Sequence, residues 1–279
     1  MNTKRAVITT LASLGVSVVL ALAFLFWPRD TTQISEQDAI AAFRDGQATR
    51  TDGSEATKKD RSADRRTPVP GVYTYAAEGQ EEVKLGPLPA ESRPFPTTIT
   101  ATAVDTGTGC FNWTVNLFVE HTEETRWCTD PVLRLETHTK HQKVGPLTPT
   151  FTMKCDPGAM TTATAANGVD PVAATDSTTN LSCHLTVGGG PVSVDTEIDG
   201  TAIRSGEEVP IRVGDVDVPT TRITVHFPVS GTINGTWDET TWWSADHLPV
   251  RIERTLDLSG PATFKETSRL QLSRLEPNS

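Results

Sequence analysis

The chain has 279 residues, 36% of them hydrophobic, and a formal net charge of −10. Its first 67 residues hold 10 of the 25 basic and 8 of the 35 acidic side chains, so the remaining 212 carry 15 against 27, a net −12. So acidic a surface is a poor partner for nucleic acid and for anionic lipid headgroups, and 212 residues suffice for one large or two small domains.

The stretch Ala6–Trp27 has 22 residues and no charge. As a helix it covers roughly 30 Å, the hydrocarbon thickness of a bilayer. Lys4 and Arg5 precede it, and Arg29 is balanced by Asp30 after it. The positive-inside rule then leaves residues 1–5 as a cytoplasmic tail and exports everything after Trp27. Ala21-Leu22-Ala23 offers the small-x-small pattern of a cleaved signal peptide, but Phe24 to Trp27 carry the apolar run through it. The expectation is an uncleaved single-pass anchor in the cell membrane, with residues 68–279 as an extracytoplasmic domain. The signal-peptide alternative exports the same domain.

Residues 28–67 read as a short juxtamembrane helix and a polar linker. Ser35 can cap the helix, Asp38 lies in its first turn, and Gly46 marks its end. Residues 45–67 are polar, mixed in charge and without apolar period.

From Pro68 the texture changes to short Val/Ile/Thr/aromatic runs broken by Gly, Pro, Asn and Asp, an antiparallel β signature. Phe111, Trp113, Val115, Leu117 and Val119 alternate with polar residues, and a turn near Thr122–Glu124 leads back to Trp127 and Cys128. Ile211–Val213 and Val216–Val218 flank Gly214-Asp215 as a hairpin with a two-residue turn. Residues 156–183 have no apolar period and read as a long loop between two halves, about 68–155 and 184–279.

Cys110, Cys128, Cys155 and Cys183 all fall in the exported part, and four cysteines in an oxidising compartment indicate two disulfides. Three pairings are open. Sequential pairing, Cys110–Cys128 and Cys155–Cys183, is favoured because each pair brackets a local unit. No CxxC and no zinc-spaced His–Cys cluster occurs, so a metal or redox site is not indicated.

Two segments recur across the 156–183 loop. Pro96-Thr97-Thr98-Ile99-Thr100 resembles Pro219 to Thr224, and Trp127 to Glu136 parallels Trp243 to Glu253. Their common order suggests a duplicated antiparallel unit, forming one curved sheet or half-barrel of two related halves. The last hairpin turns at Ser259-Gly260-Pro261; with Leu258 opposite Ala262, Arg254 faces Glu266 on the apolar side, a candidate inward ion pair.

The run Trp242-Trp243-Ser244 through Leu248-Pro249-Val250-Arg251 resembles bacterial envelope proteins with curved antiparallel sheets, the half-barrels of the LolA and mycobacterial LppX type. Over about the last 85 residues, the resemblance implies a concave apolar surface able to hold acyl chains. The chain differs in having a membrane segment where those proteins have a lipidated Cys, and in showing no helices between its strands.

Catalytic patterns are missing. There is no GxSxG elbow and no Gly-rich phosphate loop. His138 and His141 read as exposed, His121, His184, His226 and His247 as isolated, and Glu81-Glu82 and Glu207-Glu208 as solvated turn pairs. Trp242 and Trp243 point to opposite faces of a strand, one of them core. The sequence thus indicates no enzyme, no cofactor and no catalytic residues. It points to a binding or scaffold ectodomain of the cell envelope, partnered by the membrane through its helix and by a lipid or an envelope protein through its sheet. The alternatives are an envelope hydrolase using scattered carboxylates and a partner-binding ectodomain without ligand. A cavity lined by Val250, Ile252, Leu256, Phe264 and Leu270 would favour a ligand; a filled interior would favour a protein partner.

Overall fold

The computed structural model describes residues 32–51, 67–85, 89–107, 109–119, 121–129, 133–143, 148–156, 176–189, 193–260 and 262–278. The expected anchor Ala6–Trp27, the linker from 52 to 66 and the loop from 157 to 175 lie outside them. No helix among the described residues is long and apolar enough to cross a membrane.

Among the described residues one helix, α1 (Glu36–Thr51), precedes thirteen strands: β1 (Gly71–Leu85), β2 (Glu91–Pro94), β3 (Thr98–Gly107), β4 (Cys110–Phe118), β5 (His121–Cys128), β6 (Arg134–Gln142), β7 (Thr150–Cys155), β8 (Ser177–Gly188), β9 (Val194–Val213), β10 (Val216–Val229), β11 (Asn234–Trp243), β12 (Pro249–Ser259) and β13 (Ala262–Leu272). Ser35 caps α1: its Oγ accepts from the Asp38 N–H at 3.1 Å and donates to the Asp38 carboxylate at 2.6 Å. The helix runs past Gly46, five residues further than its sequence signal. It is docked on the strand domain, with Ala39 buried and Glu36 joined to Arg274 and Asn278.

From β3 to β13 each strand pairs antiparallel with the next in the chain, β1 pairs with both β2 and β3, and β1 also pairs with β13 from Tyr75↔Leu272 to Leu85↔Ala262. β2 and β3 lie end to end along the same flank of β1, so the sheet closes as a twelve-stranded barrel. This corrects the half-barrel expectation. An open sheet would leave the N–H and C=O groups of β1 and β13 without a ladder, and here the two edges satisfy each other.

Both sequential disulfides are formed, Cys110–Cys128 between β4 and β5 and Cys155–Cys183 between β7 and β8. In each, the two cysteines are direct cross-strand partners. The β9–β10 hairpin turns at Gly214-Asp215, with Val213 opposite Val216. Cys183 sits inside β8, so the predicted loop is shorter than 156–183.

The duplication is only partly matched by topology. Trp127 and Trp243 close the β5–β6 and β11–β12 hairpins, six barrel strands apart, and each adjoins a register shift. Their rings meet edge to face across the barrel at 4.9 Å. By contrast, Pro96–Thr100 leads into β3 and Pro219–Thr224 lies in β10, strands that run in opposite directions and are seven positions apart. That match is not structurally equivalent.

Side chains fill the barrel and meet across it, as Trp127 does Trp243. Near the rim where β1 begins, Trp113 packs on Tyr73 and Tyr75 at 5.4 and 6.1 Å. Near the other rim, Phe95 meets Phe118 at 6.0 Å and Phe151 meets Phe264 at 6.3 Å. Gly200 permits one close approach: a Cβ there would lie 2.4 Å from Phe227 Cδ1 and 2.6 Å from the His226 carbonyl oxygen. Val250, Ile252, Leu256, Phe264 and Leu270 are all buried within this packing. Trp242 and Trp243 are both buried; the face of Trp242 carries the Arg251 guanidinium at 5.4 Å.

Candidate functional site

Between the two aromatic ends lies a layer of charge. Glu81 from β1, Arg93 from β2, His121 and Glu123 from β5, Lys140 from β6, Glu239 from β11, Arg254 from β12 and Glu266 from β13 all point inward. Burial of isolated charges costs several kcal/mol each, so such groups persist only if each finds its opposite. Here they do. Arg93 reaches Glu81 at 2.7 Å, and the two ring nitrogens of His121 face Glu81 at 2.8 Å and Glu123 at 3.1 Å. Lys140 Nζ sits 3.1 Å from Glu123 and 2.5 Å from Glu266. Arg254 spans the barrel, contacting Glu123 at 2.5 Å, Glu239 at 2.8 Å and Glu266 at 3.3 Å.

Arg254 and Glu266 therefore share the interior, but not as the direct pair predicted. β12 and β13 are in a register with Leu258 opposite Phe264, which puts Arg254 opposite Ser268 and Glu266 opposite Leu256. An even shift keeps every side chain on its face, so the two remain diagonal neighbours. Ser268 Oγ donates to Glu266 at 3.1 Å.

The electrostatics follow from burial set against neighbours. Burial alone would raise the carboxyl pKa of Glu123, but Arg254, Lys140 and His121 hold it well below the usual range. Glu81 is lowered in the same way, against burial, by His121, Lys140 and Arg93. Burial opposes the charge on Lys140 too, and Glu266, Glu123 and Glu81 outweigh it, so its pKa rises. His138 differs: burial dominates and pulls its pKa down to about 3. It is a neutral ring, joined to Thr125 at 2.8 Å and edge-on to Trp237 at 4.8 Å.

Several of these positions are corrections to the sequence reading. Glu81, read as a solvated turn residue, is fully buried, and His138, read as exposed, is buried. The turn expected at Thr122–Glu124 comes earlier in the chain, since β5 begins at His121 and holds all three residues within the strand. Glu123 stands opposite the inward-facing Val115, and strand alternation puts His121 on the same inner face. The only advance signal was the inward pairing of Arg254 with Glu266, a fraction of the network.

Glu81, His121 and Glu266 offer ligand atoms within 4.8 Å of one another, a spacing a metal ion could use. The Lys140 ammonium and the Arg93 guanidinium already neutralise those carboxylates and would repel a further cation. The donor set does not fit a metal.

Among the described residues, concavities border the layer on both sides of the wall. Inside, a cavity of about 40 Å³ lies among Phe151, Met153, Ile198, Leu256 and Phe264. Outside, an open groove of about 540 Å³ crosses β11, β12, β13 and β1, lined by Asp238, Thr240, Glu253, Thr255, Arg269 and Glu78 among others. Arg269 and Glu253 face each other in it at 3.5 Å. The chain matches no family model, no curated protein and no solved structure.

Proposed function

We propose that the protein is a binding or scaffold ectodomain of the cell envelope, held at the membrane by the Ala6–Trp27 segment, and that it meets a protein partner on its outer wall. The observation that carries this reading is the filled interior. A lipid-holding barrel needs a ligand pocket of roughly 300–1,000 Å³, whereas the internal cavity is about 40 Å³. The broad outer groove of about 540 Å³ is polar and open to solvent, as suits a contact surface. Two buried disulfides support an oxidising, extracytoplasmic location. The hydrolase alternative draws less support: the converging carboxylates are each held by a cation and shielded from water, and so are poorly placed to activate water.

Native mass spectrometry of the purified protein tests the choice. A polypeptide of bare mass is expected, together with a discrete adduct in envelopes when a photo-cross-linker replaces Thr255. A co-purifying lipid mass that persists through delipidation would restore the lipid-carrier reading.

A further inference from the structure

The geometry points to a stored proton: we infer that His121 is an imidazolium in the folded barrel, the fourth cation of the ionic layer, and that its release as pH rises loosens the barrel. The argument begins with the ring. A neutral imidazole has one N–H and one lone pair. Yet both ring nitrogens of His121 face carboxylate oxygens, Glu81 at 2.8 Å and Glu123 at 3.1 Å. In the neutral form one contact would set a lone pair against a carboxylate in a dry interior. Only the doubly protonated ring sets positive charge against both, as a hydrogen bond to Glu123 and as a close ion pair, by distance, to Glu81.

The charge count agrees. Glu81, Glu123, Glu239 and Glu266 face three permanent cations, Arg93, Lys140 and Arg254. With His121 protonated the layer is neutral; without that proton it holds an uncompensated negative charge.

Every element around the ring contributes. β1 presents Glu81, itself bound to Arg93 of β2; β5 presents Glu123 and β6 Lys140. Arg254 of β12 and Glu266 of β13 stand one contact further away. The rings of Phe118 and Phe95, at 6.4 and 6.5 Å, close the remaining sides. Burial and Lys140 oppose the charged ring, Glu81 and Glu123 favour it, and the carboxylates prevail, so its pKa lies above the ordinary value.

A raised folded pKa means the folded state holds a proton that the unfolded chain releases near pH 6.5. The added stability is complete below that pH and is lost as pH climbs through the folded value. One such group changes the folding constant by up to tenfold per pH unit in this window. His184, exposed between Asp195 and Glu197, also has a raised pKa and would act in the same sense, so His184→Gln is the background for the test. His138 acts in the opposite sense and only below about pH 6.5, because it stays neutral when folded.

The experiment is denaturant unfolding of the full chain from pH 6 to 9, below the range where the unfolded tyrosines and lysines begin to titrate, as His184→Gln with and without His121→Gln, alongside ¹⁵N-histidine NMR of the unsubstituted protein. The expected result is a folding constant that falls with pH only where His121 is present, and ring nitrogens of imidazolium type at pH 7.5. A flat profile, a slope that survives His121→Gln, or a neutral ring at pH 7.5 would overturn the inference. If His121→Gln does not fold, the ring spectrum decides.

Discussion

Replacing Arg254 by methionine would remove the guanidinium that ties β5, β11 and β13 to β12. Its three carboxylate partners, Glu123 at 2.5 Å, Glu239 at 2.8 Å and Glu266 at 3.3 Å, would share what is left. Lys140 still reaches Glu123 and Glu266, but no other cation is placed on Glu239 among the described ion pairs. Breaking a buried pair by deleting one partner typically costs about 3–5 kcal/mol. Against a total of about 5–15 kcal/mol that is a large fraction of the fold's stability. At about 2–4 °C per kcal/mol for a domain of this size, Tm should fall on the order of 6–20 °C. Circular-dichroism melts at pH 7 read the change directly. The double variant Arg254→Met with Glu239→Gln should recover part of the loss, because it removes the one carboxylate of the three that Lys140 does not reach. A loss below about 1 kcal/mol, the worth of an exposed pair, would refute the reasoning, because it would mean that water reaches and screens the layer.

Selective loss of the Cys110–Cys128 bridge by Cys→Ala substitution, which opens a loop spanning 18 residues in sequence, should cost roughly 3 kcal/mol in a urea titration; non-reducing peptide maps should contain only the two sequential pairs. Gly200→Ala should lose about 1–3 kcal/mol through overpacking against Phe227, visible as a lower urea midpoint at constant slope.

The alternation of Phe111, Trp113, Val115 and Leu117, the Gly214-Asp215 hairpin and the sequential disulfides were legible because each is local. Closure was not. The pairing of Tyr75 with Leu272 joins the two ends of the domain, and no periodicity within either strand records it. The ionic layer was hidden for a related reason. Glu81, His121, Lys140 and Glu266 stand in strands far apart in the chain, and each alone has the look of a solvated charge. The facing of His121 and Glu123 is set by the pairing of Val115 with Glu123 across β4–β5, and the composition of β5 alone does not say which of its faces is inward. Arg254 and Glu266 were glimpsed because they share one hairpin.

The closure of β1 on β13 has a consequence for how the molecule comes into being. Every other ladder in the barrel joins strands close in sequence, at small loop-closure cost, and can form as the chain emerges. The seam must wait for the C-terminal residues. Until then β1 offers a bare edge, and Lys140 and Arg254 each still lack one partner, Glu266. The last strand to appear is thus the one that both ends the sheet's exposure and delivers Glu266, so completion of the wall and neutralisation of its interior are a single event.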